Sequence, residues 1–163
     1  MSNDTNAVVV ARDIPKVIKQ FVTFRIQDEL FGVDILDVKE VTPMIEITPV
    51  FHAPEEVMGY MNIRGEIHLV LNMRYLLGFP STEPTPNSRV VIFKQTIAEP
   101  FGIMVDRVGD VLEVSNEQIE TDIQVDASSI SSGAGSQMVT GVCKLEKELL
   151  VLLNAHKFLV KQQ

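Results

Sequence analysis

Two stretches of the sequence, 82 residues apart, decide the fold. Residues 59–72 are GYMNIRGEIHLVLN, and residues 141–154 are GVCKLEKELLVLLN. Aligned without a gap, they share the first glycine, a glutamate after the turn, an apolar strand and a final asparagine. Each stretch predicts a β-hairpin followed by a short helix that the asparagine caps. We therefore expect two similar structural units in one chain.

A second repeat, at an offset of 70 residues, supports the first. Phe31-Gly32-Val33 corresponds to Phe101-Gly102-Ile103, and Val38 corresponds to Val108. A general similarity among β-hairpins is the alternative explanation. The two repeats run in the same order along the chain, however, and this favours a true duplication.

An all-β protein with two small lobes is the architecture that these repeats predict. Alternation of apolar and polar residues dominates from Phe21 onward, and no helical period is sustained. Each half has about five short strands, which suit a small closed barrel because closure removes exposed edges. Since small barrels have thin cores, we expect them to share a further hydrophobic layer, with a groove where they meet. Short helices complete the predicted fold.

The predicted domain boundaries follow local composition. Residues 1–19 are polar and weakly patterned, and we interpret them as a flexible tail before a single domain at 20–160. Prolines among small polar residues mark 79–88 as a linker. This linker is expected to separate a first lobe at 20–78, which takes in the C-terminal helix region, from a second lobe at 89–153.

Composition disfavours several functional classes. The 163 residues include 14 Lys and Arg and 22 Asp and Glu, which gives a formal net charge of −8. An acidic chain without a basic run is poorly suited to nucleic acid or to an anionic lipid surface. No apolar stretch approaches the roughly 20 residues of a spanning helix, so we expect no direct membrane insertion. Cys143 is the single cysteine, and a cytoplasmic location with an inert core thiol is expected.

The sequence lacks a convincing motif for catalysis. The histidines, which have no partner at a metal-ligand spacing, are His52, His68 and His156. The stretch Gly133–Ser136 lacks the lysine that completes a phosphate-binding loop. Carboxylate pairs such as Asp106 with Asp110 are expected on solvated faces. We predict no metal, no cofactor and no enzymatic activity; a small acidic enzyme that uses carboxylates of the groove is the rival class.

Arg64 is the most unusual candidate for a functional side chain. It lies in a hairpin turn beside Gly65, where other residues would reverse the chain better. We predict a carboxylate partner, and Glu40 is our choice. The pair is either an ordinary surface salt bridge or a brace at the junction of the lobes. Candidates for lining the groove, with a plain core role as the alternative, are Val38, Val91, Val108 and Val111.

Four groups of residues recur together in one known family. They are Phe21–Phe24 with Phe31–Val41, Asn62–Gly65 with Asn72–Arg74, Phe101–Asp106 with Val108 and Asp110–Leu112, and Gly141–Val142 with Leu149–Asn154. With these groups in this order, the chain resembles the CheW-like family of bacterial chemotaxis coupling proteins. The resemblance extends over residues 20–160.

This resemblance implies SH3-like barrels and a non-enzymatic adaptor. Members of the family couple transmembrane methyl-accepting chemoreceptors to the histidine kinase CheA, whose regulatory domain has the same fold. We therefore expect a cytoplasmic protein that is recruited to membrane-associated receptor arrays. A coupling subunit of a non-flagellar pathway, such as a pilus system, is the alternative within the same class.

The resemblance also implies two binding surfaces. The groove between the barrels is expected to take the hairpin tip of the receptor, at the positions Val38, Glu40, Arg64, Val91, Val108 and Val111. A separate barrel end, around the predicted strand 45–49, is expected to bind the regulatory domain of the kinase through Ile45, Ile47 and Pro49. Ile45 and Ile47 lie two residues apart, so they would share one face of a strand.

Overall fold

The structure, a computed structural model, describes residues 15–121 and 134–159. Strands dominate the described residues. They are β1 (Ile18–Ile26), β2 (Glu29–Asp34), β3 (Val38–Pro43), β4 (Val57–Ile63), β5 (Glu66–Asn72), β6 (Arg89–Phe93), β7 (Phe101–Val105), β8 (Arg107–Ser115), β9 (Ile119–Glu120), β10 (Val139–Lys144) and β11 (Leu149–Leu153). The short α-helices are α1 (Met73–Leu77) and α2 (Ala134–Gln137), and the short 3-10 helices are Ile35–Asp37, Asn116–Gln118 and Ala155–Lys157.

The strands form two sheets, each of which belongs to one lobe. The first sheet has the order β8-β1-β2-β11-β10-β9, and the second has the order β3-β6-β7-β5-β4. In the described part of the chain, β2 with β11 and β5 with β7 are parallel pairs, and the other pairs are antiparallel. The predicted all-β class with two small lobes is confirmed; one lobe carries the two-residue β9 as a sixth strand.

The internal repeat is confirmed by equal pairing in the two sheets. Phe31 of β2 pairs with Val151 of β11, and the equivalent Phe101 of β7 pairs with Leu69 of β5. Both offsets of the sequence repeat are therefore kept in one contact. A register shift also interrupts the pairing of β1 with β8 and of β3 with β6, which are equivalent strand pairs.

The lobes do not follow the two halves of the sequence, and this corrects the predicted division at 20–78 and 89–153. The first lobe combines β1 and β2 with β8 to β11, and the second contains β3 to β7. The chain crosses between lobes at Ile35–Asp37 and again at Asp106. The segment 79–88 has no regular structure, but it joins α1 to β6 within the second lobe. Composition identifies such a loop, whereas strand partners are set by long-range packing.

The predicted tail also ends earlier than expected. β1 begins at Ile18, so the last two residues of the predicted tail 1–19 belong to a sheet. There they pair with the end of β8. Residues 1–14 of the tail and the end of the predicted domain at residue 160 lie outside the described residues.

A large hydrophobic cluster connects the two lobes. It includes the stacked rings of Phe24 and Phe31 from the first sheet, and those of Phe93 and Phe101 from the second. Two smaller clusters each belong to a single lobe. Because alternate side chains of a strand point to opposite faces, one strand contributes to its own lobe and to the shared layer. The predicted shared hydrophobic layer is confirmed.

Candidate functional site

Glu40 and Arg64 form the predicted ion pair. The Nη2 group of Arg64 donates a hydrogen bond to Oε2 of Glu40. Glu40 lies on β3 and Arg64 in the turn between β4 and β5, at opposite edges of the second sheet. The pair therefore joins two edges of one lobe, which corrects the alternative of a brace between lobes. The side chain of Arg64 is 69% exposed, so the pair adds about 0–1 kcal/mol to stability.

The backbone of the turn is poorly suited to an arginine. Arg64 and Gly65 have φ angles of 52° and 88°, which define the left-handed turn that joins two-residue hairpins. Asn62 supports this turn, since its Oδ1 accepts a hydrogen bond from the Gly65 amide at 2.9 Å. A non-glycine residue at such a φ costs on the order of 1 kcal/mol or more. The side chain of Arg64, and not its backbone, accounts for its presence.

The ion pair has no counterpart at the equivalent positions of the other sheet. Asp110 corresponds to Glu40, and Glu146 corresponds to Arg64. Two carboxylates cannot form a salt bridge at neutral pH. The surface that contains Glu40 and Arg64 is therefore specific to the second lobe, although the backbone is duplicated.

Two of the four groove valines have opposite environments. Val91 is fully buried in the hydrophobic cluster that joins the lobes. This corrects the prediction for Val91, because a partner cannot touch it without opening the core. Val111 is exposed on β8, the edge strand of the first sheet. Val111 is therefore accessible, and Val91 supports the surface from below.

The other two valines, Val38 and Val108, are equivalent and have similar environments. Val38 on β3 pairs with Phe93, and Val108 on β8 pairs with Phe24. Both valines are half-buried and pack against the shared cluster. Each lies on an edge strand, where one side of the backbone has no strand neighbour among the described residues.

The segment predicted to bind the kinase is attached to β4 at one point. It is not a regular strand: Thr48 alone forms a bridge with Tyr60, through two backbone hydrogen bonds of 2.8 Å. Gly59, next to Tyr60, has a φ of 145°. A Cβ atom on Gly59 would lie 2.2 Å from the carbonyl oxygen of Thr48. A glycine is therefore required for the segment to lie against β4.

The three residues assigned to kinase binding differ in accessibility. Ile45 is 43% exposed, and Pro49 is also exposed. Ile47 is half-buried and packs against the core cluster of the second lobe. Ile45 and Pro49 can therefore contact a partner, whereas a charge at Ile47 would also disturb the core.

Sequence analysis missed an ion pair at a crossing between the lobes. Arg74 of α1 is only 8% exposed, and its Nε and Nη2 donate to the two carboxylate oxygens of Asp106 at 3.0 and 2.7 Å. Its Nη1 donates to the carbonyl oxygen of Pro80 at 2.8 Å and to Oε1 of Gln27 at 3.3 Å. Asp106 was expected on a solvated face. The signal that could have found this pair is the basic residue two positions after each capping asparagine, at Arg74 and again at His156.

Arg25 and Glu148 form a further ion pair on the first lobe. Arg25 of β1 donates two hydrogen bonds, of 2.9 and 2.7 Å, to Glu148 in the turn between β10 and β11. These hydrogen bonds lower the pKa of Glu148 from its ordinary value of 4.5 and raise the pKa of Arg25. Burial raises the pKa of the Cys143 thiol above 9.0, so the thiol stays protonated and unreactive at neutral pH.

Within the ranges 15–121 and 134–159, no group of three or more His, Cys, Asp or Glu side chains is arranged to hold a metal ion. In the same part of the chain, no helix is long and apolar enough to cross a membrane.

The fold and the site define a two-lobed β protein with exposed apolar and charged residues at its sheet edges. The family model of the CheW-like domain matches residues 20–163. A chemotaxis protein CheW of Treponema pallidum is 32% identical over 142 residues, which cover 85% of this chain and 80% of that protein. A chemotaxis protein CheW of Rhizobium meliloti is 30% identical over 135 residues, 83% of each chain. The crystal structure of the scaffolding protein TtCheW from Thermoanaerobacter tengcongensis superimposes with a TM-score of 0.77 at 28% identity, and covers 90% of this chain and 97% of that one.

The chain belongs to the CheW-like domain family. Its lobes have the SH3-like fold of that family, and the relatives identify it as a chemotaxis scaffold protein. The predicted family and fold class are confirmed.

Proposed function

We propose that this protein is an adaptor that couples chemoreceptors to the histidine kinase CheA on the cytoplasmic side of a receptor array. The Glu40–Arg64 pair is the observation that carries the proposal. An arginine is kept at a left-handed turn position that disfavours it, in a pair too exposed to add much stability. A side chain retained under those conditions is suited to binding another molecule.

The proposed receptor surface consists of Glu40 and Arg64 together with Val38, Val108 and Val111. It combines half-buried and exposed apolar side chains on two edge strands with a charged pair at one end. An α-helical hairpin with an apolar stripe and polar flanks has matching chemistry. Val91 supports this surface from the core.

The proposed kinase surface is the segment around Ile45 and Pro49. The Thr48–Tyr60 bridge holds this segment on β4, away from the β3 strand that carries Glu40. With two surfaces on one folded body, the adaptor needs no chemistry of its own. Coupling follows if the signalling states of the receptor bind the adaptor with different affinities.

Binding of the two partners to matched variants tests the proposal. The partners are a receptor signalling fragment and the regulatory domain of CheA, each mixed with the purified protein and measured by calorimetry or co-sedimentation. We expect Arg64→Ala to lose receptor binding and Ile45→Asp to lose kinase binding, each with the other partner retained. Lys39→Ala, next to Glu40 on the same strand, is the control. If the unmodified protein binds neither fragment, the proposal is wrong.

A further inference from the structure

Phe51 is the most exposed large apolar side chain of the described residues. It is 87% exposed, three positions beyond the bridge between Thr48 and Tyr60. A phenylalanine is usually among the most buried residues of a domain, so this exposure requires a reason.

The turn that carries Phe51 is ordered and not merely unpacked. The amide of Ala53 donates to the carbonyl oxygen of Val50 at 3.3 Å, which closes the turn. The ring of His52 lies 4.4 Å from the ring of Phe51, and His52 has a left-handed φ of 61°. The local backbone therefore presents the aromatic ring to solvent at a strained residue.

Further apolar side chains are exposed on the same loop and on the strand to which it is attached. Ile45 precedes the bridge, and Tyr60 forms it. We call Ile45, Phe51 and Tyr60 the Phe51 surface. An exposed aromatic group with apolar neighbours, held by a fixed backbone, is typical of an interface anchor.

The charges around the Phe51 surface all have one sign. Residues 41–63 contain Glu46, Glu55 and Glu56 and no Lys or Arg, which gives this segment a formal charge of −3. A partner with an acidic rim would be repelled, so the complementary partner has basic residues around its apolar contact.

We propose that Phe51 is the anchor of the kinase-binding surface, and that it inserts into an apolar pocket with a basic rim on the regulatory domain of CheA. This inference rests on the proposed function and extends it, because it assigns the central contact to a residue outside the segment 45–49. It also states the chemistry of the complementary pocket.

Substitution of Phe51 tests the anchor. We expect Phe51→Ala to weaken binding of the kinase regulatory domain at least about tenfold, as for a buried aromatic hot spot. Receptor-fragment binding and the melting temperature should stay unchanged, because the ring is exposed in the free protein. Tyr75→Ala, which removes an exposed aromatic ring from α1, is the matched control and should bind the kinase normally.

Charge reversal tests the rim. We expect Glu46→Lys combined with Glu55→Lys to slow association with the kinase domain, and the difference from wild type to shrink at high salt. Faster association of the reversed variant would overturn the basic rim.

The outcomes separate this inference from the proposed function. Loss of kinase binding in Ile45→Asp with normal binding in Phe51→Ala would overturn the anchor and leave the proposed adaptor function intact. Absence of kinase binding by the unmodified protein would instead reject the proposed function itself.

Discussion

Arg74 and Asp106 join the lobes at one crossing of the chain, whereas His156 and Asp37 occupy the equivalent positions at the other crossing. The first pair has two parallel hydrogen bonds and an arginine that is 8% exposed. The second pair has a single contact of 3.8 Å, and the His156 side chain is 57% exposed. One duplicated position is therefore a buried bidentate ion pair in one copy and a weak surface contact in the other.

The first prediction concerns the stability that Arg74 provides. Arg74→Ala should lower the free energy of unfolding by about 3–5 kcal/mol, because it leaves the carboxylate of Asp106 without its counter-charge in a mostly buried site. Arg74→Lys should recover only part of this loss, since lysine cannot make the two-pronged contact. Urea unfolding at neutral pH measures all three proteins.

His156→Ala is the control for Arg74→Ala. We expect a loss of at most about 1 kcal/mol, as for other exposed pairs. Equal losses in the two variants would show that the Arg74–Asp106 contact has no special role between the lobes.

The second prediction concerns the attachment of the segment around Thr48. Gly59→Ala should detach this segment from β4, because the new Cβ would overlap the carbonyl group of Thr48. The variant should lose kinase binding and keep receptor binding. Hydrogen exchange should show faster exchange at the amides of Thr48 and Tyr60.

Gly65→Ala separates backbone strain from this overlap. Gly65 also has a positive φ, but nothing lies within 4 Å of a Cβ added there. We expect a loss of about 1 kcal/mol from strain alone and normal kinase binding. If Gly59→Ala behaves like Gly65→Ala, the overlap with Thr48 does not control the segment.

Local structure was predictable from the sequence because short-range signals determine it. The helix α1, with Asn72 as its cap and Gly78 as its left-handed end, has the predicted boundaries. The hairpins also follow from period-2 alternation and turn residues. The assignment of strands to lobes was not predictable in this way, since β1 pairs with β8 and β2 with β11 across most of the chain.

The candidate site shows the same limit. The Glu40–Arg64 pair was predictable because an arginine in a turn of an acidic chain requires an explanation. The burial of Val91 and the partner of Asp106 depend on packing between elements far apart in sequence. The anchor role of Phe51 depends on its exposure, which no periodicity indicates.

The third prediction separates the backbone and side-chain roles of Arg64. Arg64→Gly should be more stable than Arg64→Ala by about 1 kcal/mol, because glycine adopts the φ of 52° without strain. Both variants should lose receptor binding equally, since both lack the guanidinium. Arg64→Lys should restore binding only in part. Thermal melts and receptor-fragment titrations give the two quantities.

Lys39→Ala is the control for these variants. Lys39 lies beside Glu40 and makes only a long contact of 3.9 Å with Glu66, between exposed side chains. We expect near-normal receptor binding and stability. Normal receptor binding by Arg64→Ala would remove Arg64 from the receptor surface.

The fourth prediction concerns the pH dependence that Glu148 contributes. Its pKa in the folded protein is lowered from 4.5 because Arg25 donates hydrogen bonds to the carboxylate. The stabilisation is therefore fully present above about pH 4.5 and is lost as the pH falls through the lower folded-state pKa. Glu148→Gln should cost about 0.2–1 kcal/mol at neutral pH, because the pair is partly exposed. Wild type and variant should converge in urea unfolding at acidic pH, whereas Glu146→Gln in the same turn should show no such difference. A constant gap between wild type and Glu148→Gln across this pH range would contradict the ion pair as its source.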